Sequence, residues 1–206
     1  QNNALPNHRN PWNFVRNATP VGPLKGYASG IVTDEAIHWL REWRDQSKPA
    51  KPFFLFVCYH EPHEPIASDP RFTKDYPSDD PSYTAYWANV AQMDASFGRL
   101  MAELDAMGAT DDTVCVYTSD HGEMLGSHGY RGNKRWPHDA SLRVPFLARY
   151  PGHIKPGATL ERPIGTPDLF PTLVELAGIA PPSGLDGSSA ATALLTGDES
   201  DRDEYA

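Results

Sequence analysis

Several groups of residues in this 206-residue chain have types and spacings that suit chemistry. Asp120-His121-Gly122-Glu123 follows the apolar run Thr113 to Tyr117, and a second His-Gly pair comes at His128-Gly129. A carboxylate directly behind a buried strand must be solvated, paired or bound to a metal, because an isolated buried charge is costly. His121 adds a nitrogen donor. Carboxylate oxygens suit Ca²⁺, Mg²⁺ or Mn²⁺, and an imidazole leans toward Mn²⁺ or Zn²⁺. One Asp and one His do not complete a metal site, and the same pair also reads as a capping Asp beside a partly exposed His. His60 and His63, in HEPHEP, have the spacing of zinc ligands, but Pro62 between them forbids a continuous helix. A loop histidine that donates to an anion, or a plain surface histidine, also fits. Lys134 ends a glycine-rich stretch. Beside a metal its ammonium suits a tetrahedral oxyanion and its leaving oxygen; otherwise it is a solvated lysine. His128, Arg131 and His138 are further candidates, whereas Arg143 in SLRVP reads as a structural anchor.

The elements that must position these residues follow from periodicity and punctuation. Residues 1–30 are rich in Asn, Pro and Gly and show no period, so they read as an extended loop. Thr33, followed by Asp34 and Glu35, has the signature of a helix start, and Pro49 and Pro52 close that helix. Phe53 to Tyr59 is a continuous apolar run of the kind buried on both faces of a parallel sheet. A proline-rich loop from His60 to Pro81 precedes the longest helix. There Tyr83, Tyr86, Val90, Met93, Phe97, Leu100, Met101, Leu104 and Met107 step by three or four before Gly108. Thr113 to Thr118 and Leu142 to Tyr150 are two further strands. Thr166-Pro167 opens a last helix that Gly178 ends, and residues 181–206 form a polar tail. Cys58 and Cys115 sit inside apolar runs and read as buried thiols.

This alternation predicts an α/β core over residues 31–180, with ligands beyond the carboxyl ends of the strands. The loops that carry HEPHEP and DHGE both fall there. The net charge of −9 argues against a nucleic-acid surface. It leaves room for an anionic substrate beside a local cation. No apolar stretch approaches the roughly 20 residues that span a bilayer.

Taken in order, GYASGIVTDEAIHWL, KPFFLFVCYHEPHEPI, YWANVAQMDASFGRLMAEL, TVCVYTSDHGEMLGSHG, KRWPHDASLRVPFLARYPG and TPDLFPTLVELAGI with LDG resemble the sulfatase family of the alkaline-phosphatase-like superfamily. The resemblance covers Tyr27 to Gly197. It implies an alkaline-phosphatase-like sandwich, with a mostly parallel central sheet flanked by helices and incomplete at the N-terminus. Residues 1–206 are then part of a catalytic domain that cleaves a small-molecule or carbohydrate sulfate ester.

By the same resemblance Asp120 and His121 are ligands of one divalent metal ion, usually Ca²⁺, with Mn²⁺, Mg²⁺ or Zn²⁺ as alternatives. His63 and Lys134 contact the sulfate and help the ester oxygen leave, and His128 and His138 are candidates for substrate contact. Where relatives often read YE before the S-x-R-V-P segment, this chain has His138-Asp139. The family's nucleophile is a formylglycine made in a Cys/Ser-x-Pro-x-Arg motif. Neither Cys58 nor Cys115 lies in one, and no serine does. The formylglycine and two further metal-binding aspartates are expected upstream, so residues 1–206 alone are expected to turn over nothing. A phosphonate monoester or phosphodiester hydrolase of the same superfamily, and a non-catalytic relative, are the competing expectations.

Overall fold

The computed structural model describes residues 4–46, 51–130 and 134–202, and they form two compact units that divide at Met107–Gly108. In the first unit, residues 4–30 are more ordered than their composition suggests. Strands β1 (Val15–Arg16) and β2 (Thr19–Pro20) pair antiparallel, Val15 with Pro20 and Arg16 with Thr19. Asn17 and Ala18 join them with φ of 50° and 63°. Two consecutive positive φ values make the mirror-image turn whose twist suits a two-residue hairpin.

Helix α1 spans Ala28–Gln46, so it begins five residues before the expected Thr33. Thr33 is not a cap. It is fully buried on the face of α1 that also buries Ser29, Ala36, Ile37 and Leu40. Its hydroxyl lies 2.9 Å from that of Tyr59. The short helix α2 (Pro70–Thr73) is capped by Asp69, whose side chain accepts from Arg71 N–H at 2.9 Å. The long helix α3 (Pro81–Ala106) is capped in the same way by Asp80, with proline at its first position.

Helices α1 and α3 pack on each other. Met93, Leu100 and Leu104 supply the apolar contact, and Asn89, Gln92, Ser96 and Glu103 are buried beside them. Arg41 clamps Glu103 through bonds of 2.8 and 2.6 Å, and Arg99 pairs with Asp34. The fork geometry is the stronger kind of ion pair.

Residues 53–59 are extended but, among the described residues, belong to no strand. Phe54 and Phe56 are 76% and 79% exposed, and Cys58 is exposed as well. The expected buried strand and buried Cys58 are therefore corrected. The alternation places Phe53, Leu55 and Val57 on the inner side, with Phe53 against the edges of Trp39 and Trp43 at 6.2 and 4.8 Å.

In the second unit, β3 (Cys115–Tyr117) pairs antiparallel with β4 (Leu147–Arg149), with Val116 opposite Ala148. Among the described residues both strand pairs are antiparallel, in contrast to the mostly parallel sheet expected from sequence. Helix α4 is a single turn, Asp139–Leu142. A tight turn at Thr166–Asp168 runs into α5 (Leu169–Leu176), and α6 spans Ala191–Thr196.

Asp168 ties this end together. It is 1% exposed, and its carboxylate accepts from Gly165 N–H and Ser188 N–H, both at 2.9 Å. Arg202, 5% exposed, lies 3.8 Å from it and donates to the carbonyls of Arg162 and Pro163. The stretch from residue 181 thus holds a helix and a buried arginine. No helix of the described residues is long and apolar enough to cross a membrane.

Candidate metal and sulfate site

The loop behind β3 carries Asp120 and His121. The Asp120 side chain is 83% exposed and that of His121 35%. His121 Nδ1 lies 2.8 Å from the Gly122 carbonyl. A carbonyl oxygen only accepts, so Nδ1 carries the proton and donates. Nε2 is then the nitrogen turned toward Asp120, 3.3 Å from its Oδ2. An imidazole lone pair and a carboxylate oxygen at that separation repel unless a proton or a cation lies between them. A backbone carbonyl on the far nitrogen is also the usual way a metal-binding histidine is oriented. The donor pair therefore fits a divalent cation. Among the described residues, no third His, Cys, Asp or Glu joins them as a complete ligand set. Ser119 steadies the loop, its hydroxyl donating to the His121 carbonyl at 2.9 Å.

Gly122 fixes where this pair sits. Its N–H donates to the Ser141 carbonyl at 2.7 Å. A Cβ on Gly122 would lie 2.1 Å from the Ala140 carbonyl oxygen. Only glycine lets the loop lie this close to α4. Met124, in the same loop, is 2% exposed.

The contact brings His138, at the N-cap of α4, into the same neighbourhood. His138 stacks on His128 at 4.1 Å, and Tyr130 stacks on Trp136 at 5.1 Å. His128 adopts a left-handed φ of 53°. Trp136 is 44% exposed. Lys134 is half-buried and, among the described residues, has no carboxylate partner. Arg131 lies outside the described residues.

His63 belongs to the first unit. It is exposed, and its Nδ1 lies 2.6 Å from the Glu64 carbonyl, so here too Nδ1 donates and Nε2 is presented outward. His63 N–H closes a turn onto the His60 carbonyl at 2.9 Å, and His60 stacks on Phe14 at 5.3 Å. The same unit holds residues that motif reading passed over. His8 is fully buried, and Glu61 is 4% exposed. Glu61 accepts from Ser29 N–H at 2.7 Å and from Gln92 Nε2 at 3.3 Å. Desolvation lowers the His8 pKa below its ordinary value, against the opposing attraction of Glu61. Burial likewise pushes the Cys115 thiol up.

Comparison with known proteins gives consistent results. The Sulfatase family profile matches residues 1–179. The chain is 34% identical over 197 residues to the ulvan-active sulfatase of Formosa agariphila, over 86% of this chain and 38% of that protein. Its fold is similar to that of BT4656, solved with its substrate D-glucosamine-2-N,6-O-disulfate. The TM-score is 0.75 at 23% identity, over 92% of this chain and 56% of that one. It is also similar to the phosphonate monoester hydrolase of Agrobacterium radiobacter. There the TM-score is 0.67 at 28% identity, over 84% of this chain and 43% of that one. The chain thus spans less than two thirds of the length of each.

Proposed function

The chain belongs to the sulfatase family, and on that footing we propose that the protein hydrolyses sulfate esters with a divalent metal ion held in part by Asp120 and His121. The observation that carries the reading is the His121 tautomer. Its Nδ1–H is committed to the Gly122 carbonyl, which leaves Nε2 beside Asp120 Oδ2 as a ready pair of donors. Two ligands require the remainder from elsewhere, and oxygen-rich completion favours Ca²⁺. Bound there, the cation supplies Lewis acidity and neutralises charge on the sulfate.

In this reading the chain's own residues bind and steady the ester. As an imidazolium, His63 donates Nδ1–H to the Glu64 carbonyl and Nε2–H to a sulfate oxygen. Lys134 places an ammonium where charge grows on the leaving oxygen. His128 and His138 contact the alcohol part of the substrate. Neither Cys58 nor Cys115 lies in the family's Cys/Ser-x-Pro-x-Arg motif, so neither is the nucleophile in this reading. A mostly parallel central sheet belongs to the whole fold in the same reading.

The substrate class we favour is a sulfated carbohydrate. The support is the likeness to an ulvan-active sulfatase together with the stacked pair of exposed Trp136 and half-buried Tyr130 in the same unit as Asp120 and His121. Flat aromatic faces with one polar edge suit sugar rings. A phosphodiester or phosphonate ester is the second reading, favoured by the likeness to a phosphonate monoester hydrolase.

The test is hydrolysis of sulfated sugars against phosphodiesters by the full-length gene product and its Asp120→Ala variant, with Ca²⁺ binding measured by calorimetry. The expectation is a preference for sulfate, with turnover and binding both lost in Asp120→Ala. Near-normal turnover in that variant would remove the metal assignment, and a preference for phosphodiesters would favour the second reading.

A further inference from the structure

The first unit contains a set of buried polar atoms whose bonding does not close. The turn from His60 to His63 encloses Glu61, and the Glu61 side chain points inward, 4% exposed. Its Oε1 is satisfied by Ser29 N–H and Gln92 Nε2, while Oε2 is buried without a partner. His8 is fully buried, and its ring faces the Asn89 side chain without reaching good hydrogen-bond geometry at either nitrogen. Asn89 is fully buried too. Its Nδ2 donates to the Ala67 carbonyl at 3.2 Å, which fixes the amide orientation and leaves Oδ1 unpartnered. Ser29 Oγ is in the same condition. Glu61 attracts a charged His8, the Asn89 side chain faces the ring as a hydrogen-bond acceptor, and Ala28 N–H donates to the His8 carbonyl at 2.8 Å. These atoms therefore gather from four elements: the N-terminal segment, the start of α1, the HEPHEP loop and α3.

Donor arithmetic decides what is needed. A neutral imidazole brings one N–H and one lone pair, and a serine hydroxyl brings one O–H. Against these stand the acceptors Glu61 Oε2, Asn89 Oδ1, the second His8 nitrogen and Ser29 Oγ. Acceptors outnumber donors, and a buried polar group left unmet carries its full desolvation penalty. A water molecule supplies two donors and also accepts, and polar internal sites of this kind hold one.

We infer that His8, Ser29, Glu61 and Asn89 wall an internal hydration site, and that Glu61, bridged through it, is the positioning residue for His63. The turn that presents His63 has Glu61 as its inward anchor, so the Glu61 network sets the position of the His63 imidazole two residues on. The positioning role rests on the reading of His63 as a sulfate-binding group; the hydration site does not.

Two measurements on the full-length gene product test this. A crystal structure that shows ordered solvent is expected to place water within hydrogen-bonding distance of Glu61 Oε2 and of His8 or Asn89. A dry site, a direct His8–Glu61 bond, or a metal ion there would overturn the inference. The second measurement compares kcat and KM for Glu61→Gln and Glu61→Ala, each per folded molecule. Gln keeps the Oε1 acceptor and the volume. Turnover is expected to fall in the order Glu, Gln, Ala, with the Ala variant down about 10- to 100-fold and KM changed less. A role in stability alone would lower the folded fraction and leave kcat per folded molecule unchanged, and that result would overturn the positioning role. Absence of turnover in the unmodified protein would count against the sulfatase reading while the solvent test still decides the hydration site.

Discussion

Replacing Gly122 by alanine is the sharpest test of how the metal pair is held. The added Cβ would stand 2.1 Å from the Ala140 carbonyl oxygen and 3.0 Å from its carbon. Both are backbone atoms, so no side chain can swing away, and the DHG loop and α4 must separate by roughly 1 Å to relieve an overpacked contact. That movement stretches the 2.7 Å bond from Gly122 N–H to the Ser141 carbonyl past useful length. Overpacking costs about 1–3 kcal/mol and the lost bond about 0.5–1.5, so a total near 2–4 kcal/mol is expected. The assay is urea unfolding, with a lower midpoint and an unchanged slope. Ca²⁺ affinity should fall in parallel, because Asp120 and His121 ride on the displaced loop. Gly30→Ala is the matched control. Gly30 lies inside α1 with nothing within 4 Å of an added Cβ, so alanine should stabilise by about 0.5–1 kcal/mol. A Gly122→Ala variant with an unchanged midpoint and metal affinity would refute the close-approach argument.

Further outcomes are expected. Asp168→Ala leaves the N–H groups of Gly165 and Ser188 unmet and removes a carboxylate from buried Arg202, so it should cost about 3–5 kcal/mol by chemical unfolding; a loss below about 1 kcal/mol would contradict the burial reading. Lys134→Ala should slow esters with poor leaving groups more than those with good ones, and equal rates for both classes would remove its leaving-group role. His8 is held below its ordinary value of 6.5, chiefly by desolvation. Its unfolded form takes up a proton first, so stability should be complete above about pH 6.5 and decline as pH falls toward the lowered native value. His8→Phe should flatten the urea midpoint over that interval, and an unaltered pH profile would count against it. Cys58 should react with a thiol reagent faster than Cys115, whose thiol is pushed up by burial; equal rates would contradict the difference in exposure.

How much of this the sequence showed depends on how local the determining physics was. Helix α3 was legible because Asp80-Pro81, the apolar step and Gly108 all act within a turn or two of themselves. The start of α1 was not. Thr33-Asp34-Glu35 has the composition of a cap, but Thr33 is buried where it can bond to Tyr59, and that partner is 26 residues away. The hairpin at Asn17-Ala18 was hidden because alanine rarely takes positive φ, so no Asn-Gly signal marked it. The apolar run at Phe53 to Tyr59 matched a strand in composition. Strand pairing is a property of neighbours, though, and among the described residues the run belongs to no strand. His63, Asp120, His121 and Lys134 stood out by type and spacing. The tautomers of His63 and His121 and the separation of Asp120 from His121 were available only from the folded chain.

The residues that motif reading missed share a physical character. Glu61, His8, Asn89, Gly122 and Asp168 are polar or small groups whose worth lies in what they meet across the fold. Glu61 looks like one more acidic loop residue, yet it is buried and holds Ser29 N–H from another element. Gly122 looks like part of a signature, yet its requirement comes from the Ala140 carbonyl eighteen residues on. In DHG, therefore, the third residue answers to packing, while the first two answer to chemistry on the proposed function. The same division separates the exposed His63 from the buried Glu61 two positions before it. A substitution at His63 should therefore alter kinetics with little change in stability. A substitution at Glu61 should alter both, because the carboxylate that anchors the turn also belongs to a buried polar network.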